Sequence, residues 1–213
     1  MSGRIADIAI DQNNPSTWYT AVGSGGVWKT TNAGTTWTPI FDDQPVYSIG
    51  DVTIAPSNSN IIWVGTGENN GGRHISFGDG VYKSVDGGQT WKNMGLSKSE
   101  HVSDIIIHPT NPDIVWVSAQ GPLWSGGGER GLYKTTDGGE TWKQVLTPAD
   151  KWTGVTSLLI DPRNPDKLYA ATWARQRSIG AYVGTNEGAG IHTSNDGGET
   201  WTELKTGLPE GNM

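Results

Sequence analysis

The chain has 213 residues, no Cys, 31 Gly, 11 Pro, 11 Trp and a formal charge of −7. These counts exclude disulfides, cysteine zinc sites and thiol catalysis, and the fifteen Lys and Arg are too scattered for a phosphate-tracking surface, so nucleic acid is not an expected partner. Gly and Pro make up about a fifth of the chain, which penalises helices, and no apolar run approaches the ~20 residues of a membrane span, so a turn-dense, all-β chain without membrane insertion is expected.

The N-terminus, MSGRIADIAI, has neither a basic region nor a long apolar stretch and is not a secretory signal; the chain is read as cytoplasmic or as a piece of something longer. From there four similar units follow. The first has DIAIDQNNPSTWYTAVG, then GVWK, then the octapeptide TTNAGTTW (30–37). The second has DVTIAPSNSNIIWVGTG, GVYK and SVDGGQTW (84–91). The third has DIIIHPTNPDIVWVSAQG, GLYK and TTDGGETW (135–142), and the fourth SLLIDPRNPDKLYAATW, GIHT and SNDGGETW (194–201). The closing tryptophans Trp37, Trp91, Trp142 and Trp201 are 54, 51 and 59 residues apart. Each unit reads as two β-rich runs joined by an Asn/Pro turn, a third run entering the octapeptide, and a fourth starting at its Trp. Four short strands repeated about every 50 residues predict a β-propeller, with blades near 3–41, 47–96, 101–147 and 153–205.

The octapeptide predicts a hairpin turn between the third and fourth strands. Asn32, Asp86, Asp137 and Asp196 accept backbone N–H groups in it, Gly34, Gly88, Gly139 and Gly198 supply positive φ, and the Trp covers its base. A carboxylate recurring in the same place in successive units is read as structural. Function is expected at the other end, where the second-to-third-strand loops 67–80, 120–131 and 173–190 are long and unlike one another. Their candidate ligand-binding residues are Glu68, Arg73, His74, Trp124, Glu129, Arg130, Trp173, Arg175 and Arg177, a mixture suited to a glycan or a peptide. Alignment of the first strands adds Asp7, Asp51 and Asp104, with Ser157 in the fourth unit, at the strand's entry by the channel. There they would bind a cation or sugar hydroxyls, or serve as strand-end residues making local turn bonds.

Gly126, Gly128 and Gly131 fit GxGxxG, but LYK continues as a strand where a dinucleotide site needs a helix. The four His are dispersed, and neither a metal nor a cofactor is expected.

On the octapeptides, the chain resembles the Asp-box, or bacterial neuraminidase repeat, proteins. On the Asn-Pro turns and on GSGGVWKTTNAGTTWTPIFDDQP, GDGVYKS, HPTNPDIV and ERGLYKTTDGGETW, it resembles the N-terminal propeller of sortilin-type proteins, including large bacterial proteins labelled glycosyl hydrolases. The resemblance covers nearly the whole chain and implies a propeller, a glycan or protein ligand, and a secreted or periplasmic setting. It does not select one activity, because such propellers include hydrolases, receptors and assembly factors. The sialidase F/Y-R-I/L-P segment is absent, since Arg4 and Ile5 are followed by Ala6, and only six Arg are present. Where xyloglucanase-type enzymes carry a T-D-V-G-G-like stretch with a catalytic Asp, Gly23 to Thr30 reads GSGGVWKT without a carboxylate. A non-catalytic binding propeller is therefore expected first, then a portion of a glycoside hydrolase, or an assembly factor. Four units use up the sequence and leave two apolar sheet faces open. Further blades, a second copy giving eight, or closure as a compact ring are the ways to cover them.

Overall fold

The computed structural model describes residues 3–69, 75–184 and 186–207. Every regular element among them is a strand. The first sheet comprises β1 (Ile5–Ile10), β2 (Trp18–Val22), β3 (Gly26–Thr30) and β4 (Thr38–Pro39). The second comprises β5 (Ile49–Ile54), β6 (Ile62–Thr66), β7 (Val81–Ser84) and β8 (Lys92–Asn93), and the third β9 (Val102–Ile107), β10 (Val115–Ala119), β11 (Gly131–Thr135) and β12 (Lys143–Leu146). The fourth is β13 (Thr153–Asp161), β14 (Asn164–Ala174), β17 (Gly190–Ser194) and β18 (Thr202–Glu203), and between β14 and β17 a ribbon of β15 (Gln176–Arg177) and β16 (Tyr182–Val183) interrupts the loop. All pairings are antiparallel and sequential. The first strands β1, β5, β9 and β13 pack side by side on the inside. This is a partial propeller of four blades.

Each interface between blades is a hydrophobic layer filled from both sheets. Tyr19, Ala21, Val27 and Phe41 meet Ile49, Val52, Ile62 and Tyr82 between blades one and two. Trp63, Val81 and Met94 meet Ile105, Val115 and Val117 between two and three, and Trp116 and Leu132 meet Val155, Leu158 and Leu168 between three and four. Both faces of the middle blades are thus dry, which is why β6 and β10 are buried throughout rather than alternating.

The octapeptide turns share one hydrogen-bond pattern. In blade three Thr135 Oγ1 donates to Asp137 Oδ1 at 2.7 Å and accepts Gly139 N at 3.0 Å, while Asp137 accepts Thr141 N at 3.0 Å and Thr141 Oγ1 at 2.5 Å. Blades two and four repeat it, and blade one substitutes Asn32. Gly139 has φ +98°, and a Cβ there would lie 2.5 Å from Trp63 of the preceding blade, so the turn is seated beneath a neighbour's aromatic. The octapeptide Trp reaches further than its own hairpin base. Trp91 Nε1 donates to Ile40 O and Trp142 Nε1 to Met94 O, each at 2.7 Å, so these two rings stitch a blade to the one before it. The Asn/Pro turns have a partner too, because their main-chain carbonyls accept the octapeptide amides: Gly87 N to Asn60 O, Gly138 N to Asp113 O and Gly197 N to Asp166 O.

Candidate functional site

At the other end lie the variable loops, over the mouth of the inner channel. In each first strand a bulge falls just before the aligned Asp or Ser, at Ala6, Gly50, Ser103 and Thr156. A bulge re-aims the side chain that follows it. Asp7 Oδ2 accepts Val52 N at 3.3 Å and Asp104 Oδ2 accepts Leu158 N at 2.8 Å, while Asp51 lies against Ile105 of the next blade with its Oδ2 buried and unpartnered. Each of these carboxylates therefore reaches the first strand of the next blade rather than making a local turn bond. Burial, then the neighbouring Asp104 and Asp7, raise Asp51 well above the usual carboxylate range. Burial foremost pushes Asp104 up to about 6, with the Leu158 amide opposing it. Among the described residues no group of three or more His, Asp or Glu side chains converges as a metal ion would require.

A second group of polar side chains belongs to the loops themselves. Glu68 is fully buried and receives Arg4 Nε at 2.5 Å and Nη2 at 2.6 Å; a Cβ on Gly23 would collide with its carboxylate. Arg175 from blade four donates to Gln120 Oε1 at 2.5 Å and crosses to Asn69 O of blade two at 2.9 Å. His101, buried beside this cluster, is pushed down to about 4 by burial first and by Arg175 second, so it is neutral at ordinary pH. Arg130 is buried and donates to the carbonyls of Gln120, Pro122, Ser125, Gly127 and Trp152, which fastens the 120–131 loop. Glu129 accepts Lys98 N at 2.7 Å and ties that loop to the connector between blades two and three. Of the sequence candidates, Glu68, Arg130 and Arg175 are thus brought into the interior, while Arg73 and His74 lie outside the described residues.

The exposed part of this end is aromatic. Trp124 is 53% exposed. Trp173 meets Tyr182 edge-on at 6.2 Å, and the Arg177 guanidinium stacks 5.0 Å from the Tyr182 ring. Arg177 N donates to Leu123 O, which brings the third and fourth loops together. Over blades one and two a cavity of about 190 Å³ is lined by Pro45, Val46, Tyr47, Ser48, Ser76 and Phe77. Tyr47 and Phe77 are 61% and 69% exposed, and sequence reasoning missed them; a ring in a variable loop, with no strand period to bury it, was the available signal. Among the described residues every strongly exposed aromatic, namely Tyr47, Phe77, Trp124 and Tyr182, belongs to this end.

The family model described as Sortilin, neurotensin receptor 3, matches residues 79–210. The chain belongs to the Sortilin-Vps10 family. Besides that Sortilin-Vps10 match, it is similar to a xyloglucanase of Paenibacillus sp, 25% identical over 188 residues, covering 86% of this chain and 17% of that protein. It is also similar to a probable oligoxyloglucan-reducing end-specific xyloglucanase of Neosartorya fischeri, 26% identical over 179 residues, covering 79% of this chain and 20% of that protein. Among solved structures, the GH74 enzyme of Niastella koreensis superposes with a TM-score of 0.67 at 25% identity, covering 92% of this chain and 28% of that one. An ancestral GH74 enzyme superposes with a TM-score of 0.75 at 21% identity, covering 98% and 26%, and supports the fold. The chain spans about a fifth of the length of the curated relatives it matches.

Proposed function

We propose that this chain is a segment of a glycan-recognising propeller, built of Asp-box blades near 3–41, 47–96, 101–147 and 153–205. In this reading a neutral oligosaccharide lies across the loop-rich end, between the Tyr47–Phe77 patch and the Trp124–Trp173–Tyr182 patch, with Arg177 at its edge. The observation that carries the reading is the confinement of strongly exposed aromatics to that one end. Rings presented to water suit the apolar faces of sugars, and polar loop groups beside them suit hydroxyls. The xyloglucanase relatives make a β-glucan backbone with xylose branches the first ligand to try.

A second reading, part of a glycoside hydrolase, is favoured by those same relatives. On that reading the chain contributes binding surface rather than the acid–base pair. Three of its inward carboxylates are engaged, Glu68 by Arg4 and Asp7 and Asp104 by strand amides, and Asp51 is buried beside the latter two. A third reading, an assembly factor, would place a protein segment on the same rings.

Calorimetric titration with xyloglucan oligosaccharides and cello-oligosaccharides tests the proposal, alongside a hydrolysis assay. Ala at Tyr47, Phe77, Trp124 or Tyr182 is expected to weaken binding by about 0.5–1.5 kcal/mol each, roughly two- to twelve-fold in Kd, with unchanged melting. Absence of binding by every glycan tried, or binding indifferent to all four changes, overturns it. Turnover abolished by Asp51→Asn or Glu68→Gln would move the assignment to the second reading.

A further inference from the structure

The three internal joints between blades are built from one set of donors and acceptors. On the leading blade, the Asp after the first-strand bulge faces the next first strand: Asp7 takes Val52 N and Asp104 takes Leu158 N, with Asp51 in the same position against Ile105. At the opposite end a third-strand Lys, lying over a second-strand aromatic, reaches the next octapeptide. Lys29 Nζ donates to Gly87 O at 2.8 Å and lies over Tyr19, while Lys83 Nζ donates to Gly138 O at 2.9 Å and lies over Trp63. At the third joint Lys134 lies over Trp116 and pairs with Glu199 of the next octapeptide at 2.7 Å, while Trp116 Nε1 donates to Gly197 O.

Blade four breaks the set on its outward face. Ser157 stands where Asp is required and Thr193 where Lys is required, and Thr193 Oγ1 turns inward to Leu168 O. Blade one keeps the receiving half intact. Ile5, Ile8 and Ile10 occupy the positions of Ile49, Val52 and Ile54, but they are 44%, 53% and 51% exposed where Ile49 and Val52 are buried. Ile8 N and Ala33 O stand where Val52 N and Gly87 O receive the two clamps.

We infer that the open face of blade one is a docking surface for a blade of donor type, one with Asp after its first-strand bulge and Lys in its third strand. Blade four, of the same or a second copy, is not that partner. The seam after blade four lacks both polar clamps, so neither closure into a four-blade ring nor head-to-tail pairing of copies reproduces the internal joints.

The 213-residue chain carrying Ser157→Asp and Thr193→Lys places the donor set on blade four and serves as the probe. Sedimentation equilibrium should show it associating head to tail at least ten-fold more tightly than the unmodified chain, and Ile10→Glu on the receiving face should abolish the gain. A double variant with native circular dichroism and no tighter association overturns the inference. So does an unmodified chain that already associates as tightly and loses this with Ile10→Glu. The mirror variant, Asp104→Ser with Lys134→Thr, gives the third joint the pattern of blade four and reads out the clamps even where the first variant fails to fold. It should lower the melting temperature and speed amide exchange in blade four ahead of blades one and two; unchanged melting and exchange overturn the inference.

Discussion

The two ends of the propeller use the same residue type in opposite ways. At the octapeptide end, Asp137 and Asp196 are exposed and Asp86 half-buried, each carboxylate collects hydroxyl and amide donors, and their pKa values fall, that of Asp86 to about 2. At the loop-rich end, Asp51 is buried and Asp104 half-buried near one another, Asp104 with only the Leu158 amide and the Ser157 hydroxyl of the next blade as donors, and theirs rise. The hydrogen-bond donors dominate in the first case, and desolvation outweighs the few donors in the second. A carboxylate is therefore not informative by type or by recurrence alone; what surrounds it decides.

The largest expected loss tests the box-end packing. Trp116 is 1% exposed, fills the joint between blades three and four and donates to Gly197 O. Trp116→Ala should cost about 3–5 kcal/mol in urea unfolding. Gly50→Ala tests the loop end: a Cβ would sit 2.1 Å from the Val102 carbonyl oxygen, where backbone must move, so a loss of about 1–3 kcal/mol is expected. A Gly50→Ala chain of normal stability would mean that the bulges are not fixed by the neighbouring strand.

The opposite pKa shifts predict opposite pH responses. Asp104 rises from 3.8 to about 6 in the fold, so its contribution to stability is full below 3.8 and is lost as pH rises through 6. Asn at this position keeps an acceptor for Leu158 N and does not titrate. Urea midpoints measured at pH 4 and pH 7 should therefore show the unmodified chain losing stability relative to Asp104→Asn. Asp86 behaves inversely: its contribution is present above 3.8 and is lost as pH falls through 2. The penalty of Asp86→Ala should be undiminished at pH 6 and shrink toward pH 2. If both variants change with pH in the same direction, the contrast between the ends is wrong.

The repeats made the blades legible because each one specifies its own turn: Ser or Thr, Asp, two positive-φ positions and Trp in fixed order. What lay beyond the repeat was also beyond sequence reasoning. Asp7, Asp51 and Asp104 aligned correctly, but the partners of Asp7 and Asp104 are amides 45 and 54 residues away, brought close only by packing of the first strands. Glu68, Arg130 and Arg175 were picked as polar loop residues; a loop that folds back over a channel mouth buries such groups and engages them. Tyr47 and Phe77 escaped notice because spacing alone does not separate a ring left in water from one that caps a core; only their place in variable loops could have marked them.

The smallest expected effect separates the joints from the surface that decorates them. Lys83 and Lys92 lie on neighbouring strands of blade two, and both reach blade three. Lys83 lies over Trp63 and donates to Gly138 O. Lys92 pairs with Glu140 at 2.8 Å, with both side chains about two-thirds exposed. The shorter contact is the weaker one. Water solvates the Lys92 and Glu140 charges whether or not they meet, and holding two long side chains together costs rotamer entropy. Lys83 instead supplies a carbonyl that has little other access to a donor, and its stem covers an indole. Lys92→Ala should change stability by less than about 1 kcal/mol, and added salt should remove what difference there is. Lys83→Met, which keeps the stem and deletes the donor, should cost more and resist salt. Equal losses in the two variants would show that proximity across the joint, rather than burial of the bonded atoms, is what holds neighbouring blades together.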